Sequence, residues 1–260
     1  MNILFIGDIF GSPGRKLMKK YLPELRKEFE IDYCIANGEN AAHGKGITEK
    51  TATELFLCGV DCFTSGNHIW DRKESIEYLK RETRILKPLN YSEKAVGATH
   101  YIATIGNSKL AVINLIGQVY MSPIDSPFIA LENILPEIKE ITNNIFVDLH
   151  AEATAEKRAL AFYFDGRVSA LIGTHTHVQT ADEEILPNKT AYISDVGMTG
   201  PHDSCIGIDK EIVIRKMITS MPQQFKPAEG GLQINAIVVG INENTGKATG
   251  IQRIRRKYNE

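Results

Sequence analysis

The chain has 260 residues, of which 43% are hydrophobic and 24% charged, with a formal net charge of -2 at pH 7. These values are close to globular averages, which excludes a disordered, collagen-like or strongly basic nucleic-acid-binding chain. Apolar runs are shorter than the roughly 18 to 20 residues that span a bilayer, and Asp8 interrupts the apolar N-terminus too early for a secretory signal. We therefore expect a cytoplasmic protein without a membrane partner, built as one domain over residues 1–260.

Short apolar runs alternate with amphipathic stretches, and this alternation predicts a mixed α/β fold rich in strands. Strands are predicted at residues 2–9, 32–39, 61–66, 101–105, 110–116, 145–150, 169–173, 190–194, 234–241 and 250–255. Helices are predicted at residues 14–29, 48–58, 72–81, 155–164 and 209–219, with another ending near residue 142. Thr48 is the expected N-cap of the second helix. A glycine-bearing loop at residues 197–207 follows a strand and could close over a ligand.

Four cysteines are too few for a disulfide scaffold, and their spacing does not form paired zinc-ligand motifs. A structural or incidental role is expected for all of them, namely Cys34, Cys58, Cys62 and Cys205.

Polar residues able to bind metal follow the apolar strands, each at the point where a strand ends. In open α/β sheets, sites are built in the crevice at the carboxyl ends of strands, so five such ends can converge on one crevice. The residues are Asp8, Glu39, Asn40, Asn67, His68, His150, His175 and His177.

Each of these residues also has a simpler interpretation. Asp8, Asn40 and Asn67 are typical of turns or helix caps, and a single buried histidine is more often hydrogen-bonded than a ligand. Glu39 is harder to explain in this way, because a carboxylate that closes a buried strand needs a cation or hydrogen bonds. His175 and His177 would face the same side if their segment were extended, a spacing suited to metal.

Taken together, the set favours a metal site, because separate turn and core explanations would otherwise be needed at every strand end. Imidazole and carboxylate ligands without thiolate suit iron or manganese, with zinc as a further option, better than a purely oxygen-ligated ion.

The order of these motifs resembles that of the calcineurin-like metallophosphoesterases, and the finer matches resemble the YmdB-type bacterial branch. Those matches are GDIFGSPGR, NGENAAHGKG, GNHIWD, DLHAEAT and DVGMTGPHDSCIG. The wider superfamily has Asp-x-His first and Asp at the end of the second motif, whereas this chain has Phe10 and Glu39 at those places. The resemblance implies a sandwich of two mixed β-sheets flanked by helices.

The resemblance also implies two metal ions bridged by Glu39. The first ion is assigned to Asp8, Glu39, Asn40 and His177, and the second to Glu39, Asn67, His150 and His175. His68, adjacent to Asn67, is placed to protonate a leaving oxygen. Two divalent ions outweigh the charge of two carboxylates, so an anionic phosphodiester is the expected substrate, attacked by a metal-bound hydroxide. The family implies 2′,3′-cyclic nucleotides as substrates.

Two other functions are compatible with parts of the sequence. A metal-dependent amidohydrolase also uses His-x-His, although that motif usually comes early in a (β/α)₈ barrel. A regulatory or RNA-binding module is suggested by the basic residues 253–257 and by the family's association with RNA turnover, against which stands the slightly negative whole-chain charge. Homo-oligomerisation and partners in RNA turnover are further expectations.

Overall fold

The computed structural model describes residues 1–258. Its helices are α1 Gly11–Glu28, α2 Glu49–Leu57, α3 Ile76–Leu79, α4 Pro127–Ile141, α5 Thr154–Tyr163 and α6 Lys210–Thr219, and a 3₁₀ turn at Lys73–Ser75 precedes α3. Its strands are β1 Asn2–Ile6, β2 Asp8–Ile9, β3 Tyr33–Asn37, β4 Cys62–Thr64, β5 His100–Ile105, β6 Ser108–Ile116, β7 Ile145–His150, β8 Ala170–Thr174, β9 Glu184–Ile185, β10 Ala191–Ile193, β11 Met198–Pro201, β12 Leu232–Ile241 and β13 Ala248–Lys257.

The strands form two mixed sheets. The first has the order β2-β11-β12-β1-β3-β4, with β13 paired to β12, and the second has the order β5-β6-β7-β8-β10-β9. Strands β1, β3 and β4 run parallel in the first sheet, as do β6, β7, β8 and β10 in the second. The predicted sandwich of two mixed sheets is confirmed, and it is not the closed barrel typical of amidohydrolases.

Apolar side chains fill three layers around these sheets. The layer between the sheets includes Phe5 of β1 and Phe146 of β7, whose rings stack with centroids 5.7 Å apart. Helices α1 and α2 cover the outer face of the first sheet, and α4 and α5 cover that of the second. The core therefore fixes the two sheets against each other and brings their carboxyl-terminal strand ends to one edge.

Most predicted elements are present with ends shifted by a few residues, and Thr48 is the N-cap of α2 as expected. Three predictions need correction. The strand predicted at 2–9 is divided into β1 and β2, because β1 pairs with β3 and β12 whereas β2 pairs with β11. The segment predicted as a loop at 197–207 contains strand β11, which pairs with β2 and β12, and the helix predicted at 72–81 is divided between the 3₁₀ turn and α3. The predicted domain over 1–260 extends two residues beyond the described range and stays a prediction.

The cysteines among residues 1–258 are free thiols, and Cys34 and Cys62 are buried in the apolar layers. None of the helices within this range combines the length and the apolar character that crossing a membrane requires.

The cap of α2 gives a stability prediction. The Thr48 hydroxyl accepts from the Thr51 amide while the Thr51 hydroxyl accepts from the Thr48 amide. Replacing Thr48 by Ala removes a partner for the helix N-terminus and should lower the free energy of unfolding by about 1 kcal/mol. Chemical denaturation measures this, with exposed Lys50→Ala in the same turn as the control. An equal loss in both variants would mean that the cap contributes nothing specific.

Candidate metal centre

The strand ends of both sheets meet at one edge, where the predicted ligand residues form a continuous set of contacts. Asp8 lies in β2, Glu39 and Asn40 follow β3, Asn67 and His68 follow β4, His150 ends β7, and His175 and His177 follow β8. Asp8 and His150 are fully buried, and Glu39 is 1% exposed. Water therefore cannot compensate these charges. The side chains must balance one another's charge, or a bound ion must balance it.

One group within the set contains Asp8, Asn40 and His177. The His177 Nε2 atom lies 3.3 Å from Asn40 Oδ1 and 3.8 Å from Asp8 Oδ1. The Asn40 amide nitrogen donates to the Gly44 carbonyl at 3.1 Å, which turns the amide oxygen toward His177. Three atoms with free electron pairs thus converge on one point.

The second group contains Glu39, Asn67, His150 and His175. The His150 Nε2 atom lies 3.1 Å from Glu39 Oε1, 3.2 Å from Asn67 Oδ1 and 3.0 Å from His175 Nδ1. One ligand atom from each of Glu39, His150 and His175 falls within 4.8 Å of the others. This spacing fits a single metal ion among them.

The two groups are neighbours. The backbone N–H of His175, whose ring belongs to the second group, donates to Asp8 Oδ2 of the first at 3.3 Å. The second oxygen of Glu39 accepts from the backbone N–H of His68 at 3.0 Å. The predicted ligand residues are therefore brought together in two adjoining subsets, and His68 is adjacent to them.

Each of the three histidines in the two groups directs one ring nitrogen to the centre and the other to a fixed partner. His177 Nδ1 contacts the Ile206 carbonyl at 2.9 Å, and His175 Nε2 contacts Glu152 at 3.1 Å. His150 Nδ1 contacts the hydroxyl of Thr174 at 2.9 Å, which in turn donates to Asp148. Metal-binding histidines are usually oriented in this way by carbonyl, carboxylate or hydroxyl partners.

The two histidines of His-x-His do not face the same side of an extended segment. Strand β8 ends at Thr174, and both His175 and His177 have left-handed backbone, with φ of 105° and 64°. The expectation based on strand alternation is wrong for this segment. Its turned backbone instead sends the two rings to different groups.

Burial and mutual charge shift the acid–base behaviour of the set. Burial raises the pKa of the Asp8 carboxyl well above its ordinary range, with His150 opposing and Glu39 adding to the rise. Burial opposes ionisation of both Glu39 and His150, yet their mutual attraction lowers the pKa of Glu39 to about 2 and raises that of His150 to about 9. Burial, followed by the charge on His150, lowers the pKa of His175 to about 3. His175 therefore stays neutral, the form that binds metal.

The residues present fit divalent cations. Among residues 1–258, Asp8 Oδ1 is a buried carboxylate oxygen without a hydrogen-bond partner, although buried polar atoms are rarely left unpaired. It points to the group of Asn40 and His177, and a cation there would satisfy it. Carboxylate, amide and imidazole atoms without thiolate are suited to iron, manganese or zinc.

Phe10 occupies the position at which the wider superfamily has histidine. Its ring is 3% exposed and packs edge-on against His177, with centroids 5.7 Å apart. A Cβ on Gly44 or Gly207 would lie 2.8 Å or 2.7 Å from this ring, so glycine is needed at both positions. Phe10 supports His177 by packing and supplies no ligand atom.

Three residues near the centre were not singled out from the sequence. Asn37 accepts from the Glu39 amide and lies 3.4 Å from His150, Asp71 lies 2.8 Å from His68, and Glu152 contacts His175. Asp71 and Glu152 lie within the motifs GNHIWD and DLHAEAT, but motif membership alone did not assign them a role.

Comparisons with known proteins show what this chain is similar to. Residues 4–254 match the model of the YmdB-like protein family. A Bacillus subtilis protein named 2′,3′-cyclic-nucleotide 2′-phosphodiesterase is 47% identical over 254 residues, covering 98% of this chain and 96% of that protein. A structure of a novel phosphatase from Mycoplasma pneumoniae has a TM-score of 0.94 at 33% identity, covering 99% of this chain and 93% of the other.

A more distant solved structure shares the fold alone. The NAD nucleotidase of Haemophilus influenzae superposes with a TM-score of 0.60 at 13% identity, covering 99% of this chain and 55% of its own.

The two groups predict different consequences for the two histidines. His175→Ala and His177→Ala should each reduce bound Mn²⁺ from about two ions to about one per chain, because each ring belongs to a different group. Elemental analysis gives the number of ions, and anomalous diffraction from crystals of each variant shows which ion remains. His100→Ala, at the start of β5, is the control and should keep both. Loss of the same ion in both variants would contradict the division.

Proposed function

This chain belongs to the YmdB-like family, and from that premise we propose that it is a metal-dependent phosphodiesterase acting on 2′,3′-cyclic nucleotides. The observation that carries the proposal is the buried ligand set in two adjoining groups, with one oxygen of Asp8 unpartnered among the described residues. The name of the B. subtilis relative, which is 47% identical, supports the substrate class.

The first ion would be held by Asp8, Glu39, Asn40 and His177, and the second by Glu39, Asn67, His150 and His175. Glu39 is suited to the bridging role, because its two carboxylate oxygens have different neighbours, His150 and the His68 amide. Bound divalent ions would supply positive charge to phosphate oxygens and acidify a water for attack on phosphorus. Iron or manganese, with zinc as a further option, agrees with these ligands.

The balance of charge favours an anionic substrate. Asp8 and Glu39 bring two negative charges to the ligand set, whereas two divalent ions bring four positive ones. A phosphodiester is therefore electrostatically suited to this crevice.

In this proposal, His68 gives a proton to the departing oxygen. Its backbone is tied to Glu39, and its Nδ1 lies 2.8 Å from Asp71 Oδ2, so the ring is held beside the ligand set. With Nδ1 directed at Asp71, Nε2 of the doubly protonated ring is the nitrogen that can give a proton to the departing oxygen. About a quarter of this side chain is exposed, which leaves it accessible to a substrate. Asp71 would position His68 without touching the substrate.

The RNA-binding alternative receives less support from the basic segment at 253–257. These residues form the end of β13, where Arg253 pairs with Glu183 and Arg256 pairs with Glu28. Much of the positive charge is thereby neutralised within the chain. A cytoplasmic location, self-association and partners in RNA turnover stay predictions from the sequence.

The proposed activity is tested by measuring metal content and turnover of 2′,3′-cyclic AMP on the same preparation. The unmodified protein should hold about two ions per chain and release nucleoside monophosphate. Glu39→Gln should keep the fold but lose at least about 100-fold in turnover, because a neutral amide bridges two cations poorly. A metal-free protein without turnover, or a Glu39→Gln variant of normal rate, would contradict the proposal.

The role of His68 predicts a dependence on the leaving group. His68→Ala should keep both ions but lose roughly 10²- to 10⁴-fold in turnover of 2′,3′-cyclic AMP, because a ribose alkoxide needs a proton as it leaves. Bis(p-nitrophenyl) phosphate should be hydrolysed at a nearly unchanged rate, since p-nitrophenolate leaves without protonation. Both rates are measured at saturating substrate on protein of verified metal content. Equal defects on the two substrates would rule out proton donation by His68.

A further inference from the structure

Lys157 and Asp195 form a buried ion pair beside the proposed metal centre. We propose that this pair is a positioning device that holds the His175–His177 turn in the conformation that sends each imidazole to a different ion. The inference rests on the proposed function, since it concerns the same site. Neither residue was singled out from the sequence, and neither belongs to the ligand set.

The pair contacts the backbone on both sides of His175. Lys157, on α5, is 0% exposed, and its Nζ donates to the Thr174 carbonyl at 2.9 Å and to Asp195 Oδ2 at 2.8 Å. Asp195 Oδ2 also accepts from the Thr176 amide at 3.0 Å. The carbonyl before His175 and the amide after it are thus held by one ion pair.

Asp195 also fixes the segments that surround this turn. Its Oδ1 accepts from the Gly197 amide at 2.8 Å. Its backbone N–H donates to the Thr180 hydroxyl at 2.9 Å, and its carbonyl accepts from the Thr180 amide at 3.0 Å. The far end of the turn is therefore tied to the same residue as its middle.

The conformation being held is one that the chain does not favour. Two non-glycine residues, His175 and His177, have positive φ within three positions, a costly backbone conformation that persists only where the surrounding structure imposes it. Gly173 makes room for the Lys157 side chain, because a Cβ at this position would lie 2.8 Å from Lys157 Cδ and 1.9 Å from the Ser194 carbonyl oxygen. The neighbouring chain is thus shaped to admit the lysine.

Stability alone is a poor reason for such a pair. Removing two charges from water is costly, and apolar replacements of a buried ion pair are often neutral or stabilising. The pair forms directional hydrogen bonds with the Thr174 carbonyl and the Thr176 amide, which apolar side chains cannot form. It can therefore set the path of the backbone between these two residues. This separates a positioning role from a purely structural one.

The test uses a variant that removes both charges, Lys157→Met with Asp195→Leu, and the more conservative Asp195→Asn. Arg167→Met with Glu132→Leu is the control, since it removes an ion pair near the start of β8, whereas the turn follows the end of that strand. Hydrogen exchange of residues 174–180 is measured on metal-free protein, and Mn²⁺ affinity by calorimetric titration. Both pair variants should exchange faster in this segment, and Mn²⁺ affinity should fall about 10- to 100-fold in the double variant. The control should match the unmodified protein.

Unchanged exchange and unchanged Mn²⁺ affinity in folded pair variants would overturn the proposal. So would failure of both pair variants to fold under conditions in which the control folds, because the pair would then be an element of general stability. If the double variant alone fails to fold, hydrogen exchange and Mn²⁺ affinity of Asp195→Asn decide whether the pair has a positioning role. Absence of Mn²⁺ binding by the unmodified protein would refute the proposed function, whereas faster exchange would still report the positioning of the turn.

Discussion

Burial of the Asp8 and Glu39 carboxylates at one edge of the sandwich is the constraint on which the rest of the centre depends. A buried carboxylate is costly unless cations or hydrogen bonds offset the lost hydration. Glu39 has His150 and the His68 amide, but one oxygen of Asp8 has no hydrogen-bond partner within residues 1–258. The arrangement is therefore suited to bind cations, and through them an anionic phosphate ester.

The fold meets this constraint by packing two sheets so that their strand ends converge. Close approach at the centre requires a small residue at Gly66, where a Cβ would lie 2.1 Å from the His150 ring and 2.5 Å from Glu39. Hydrogen-bond partners around the centre then orient each imidazole. The Lys157–Asp195 pair is proposed to fix the turn that carries the His175 and His177 rings. Ligand geometry is thus a property of the sandwich as a whole.

The sequence predicted much of the fold and which polar residues converge at one edge, because apolar periodicity and polar strand ends are local signals. Thr48 was assigned as a cap from its neighbours alone, and β7 was predicted with its observed ends. Strand β11 was missed because its partners β2 and β12 are remote in sequence. The turned backbone at His175 and the burial of Lys157 depend on long-range contacts that no local pattern records.

The central claim is that two ions share Glu39, and electron paramagnetic resonance of the Mn²⁺-loaded protein tests it most directly. Two ions about 3.5 to 4 Å apart through a shared carboxylate should couple magnetically and give the spectrum of an exchange-coupled pair. The account predicts that signal at two Mn²⁺ per chain. A spectrum of isolated Mn²⁺ ions at full loading would contradict it.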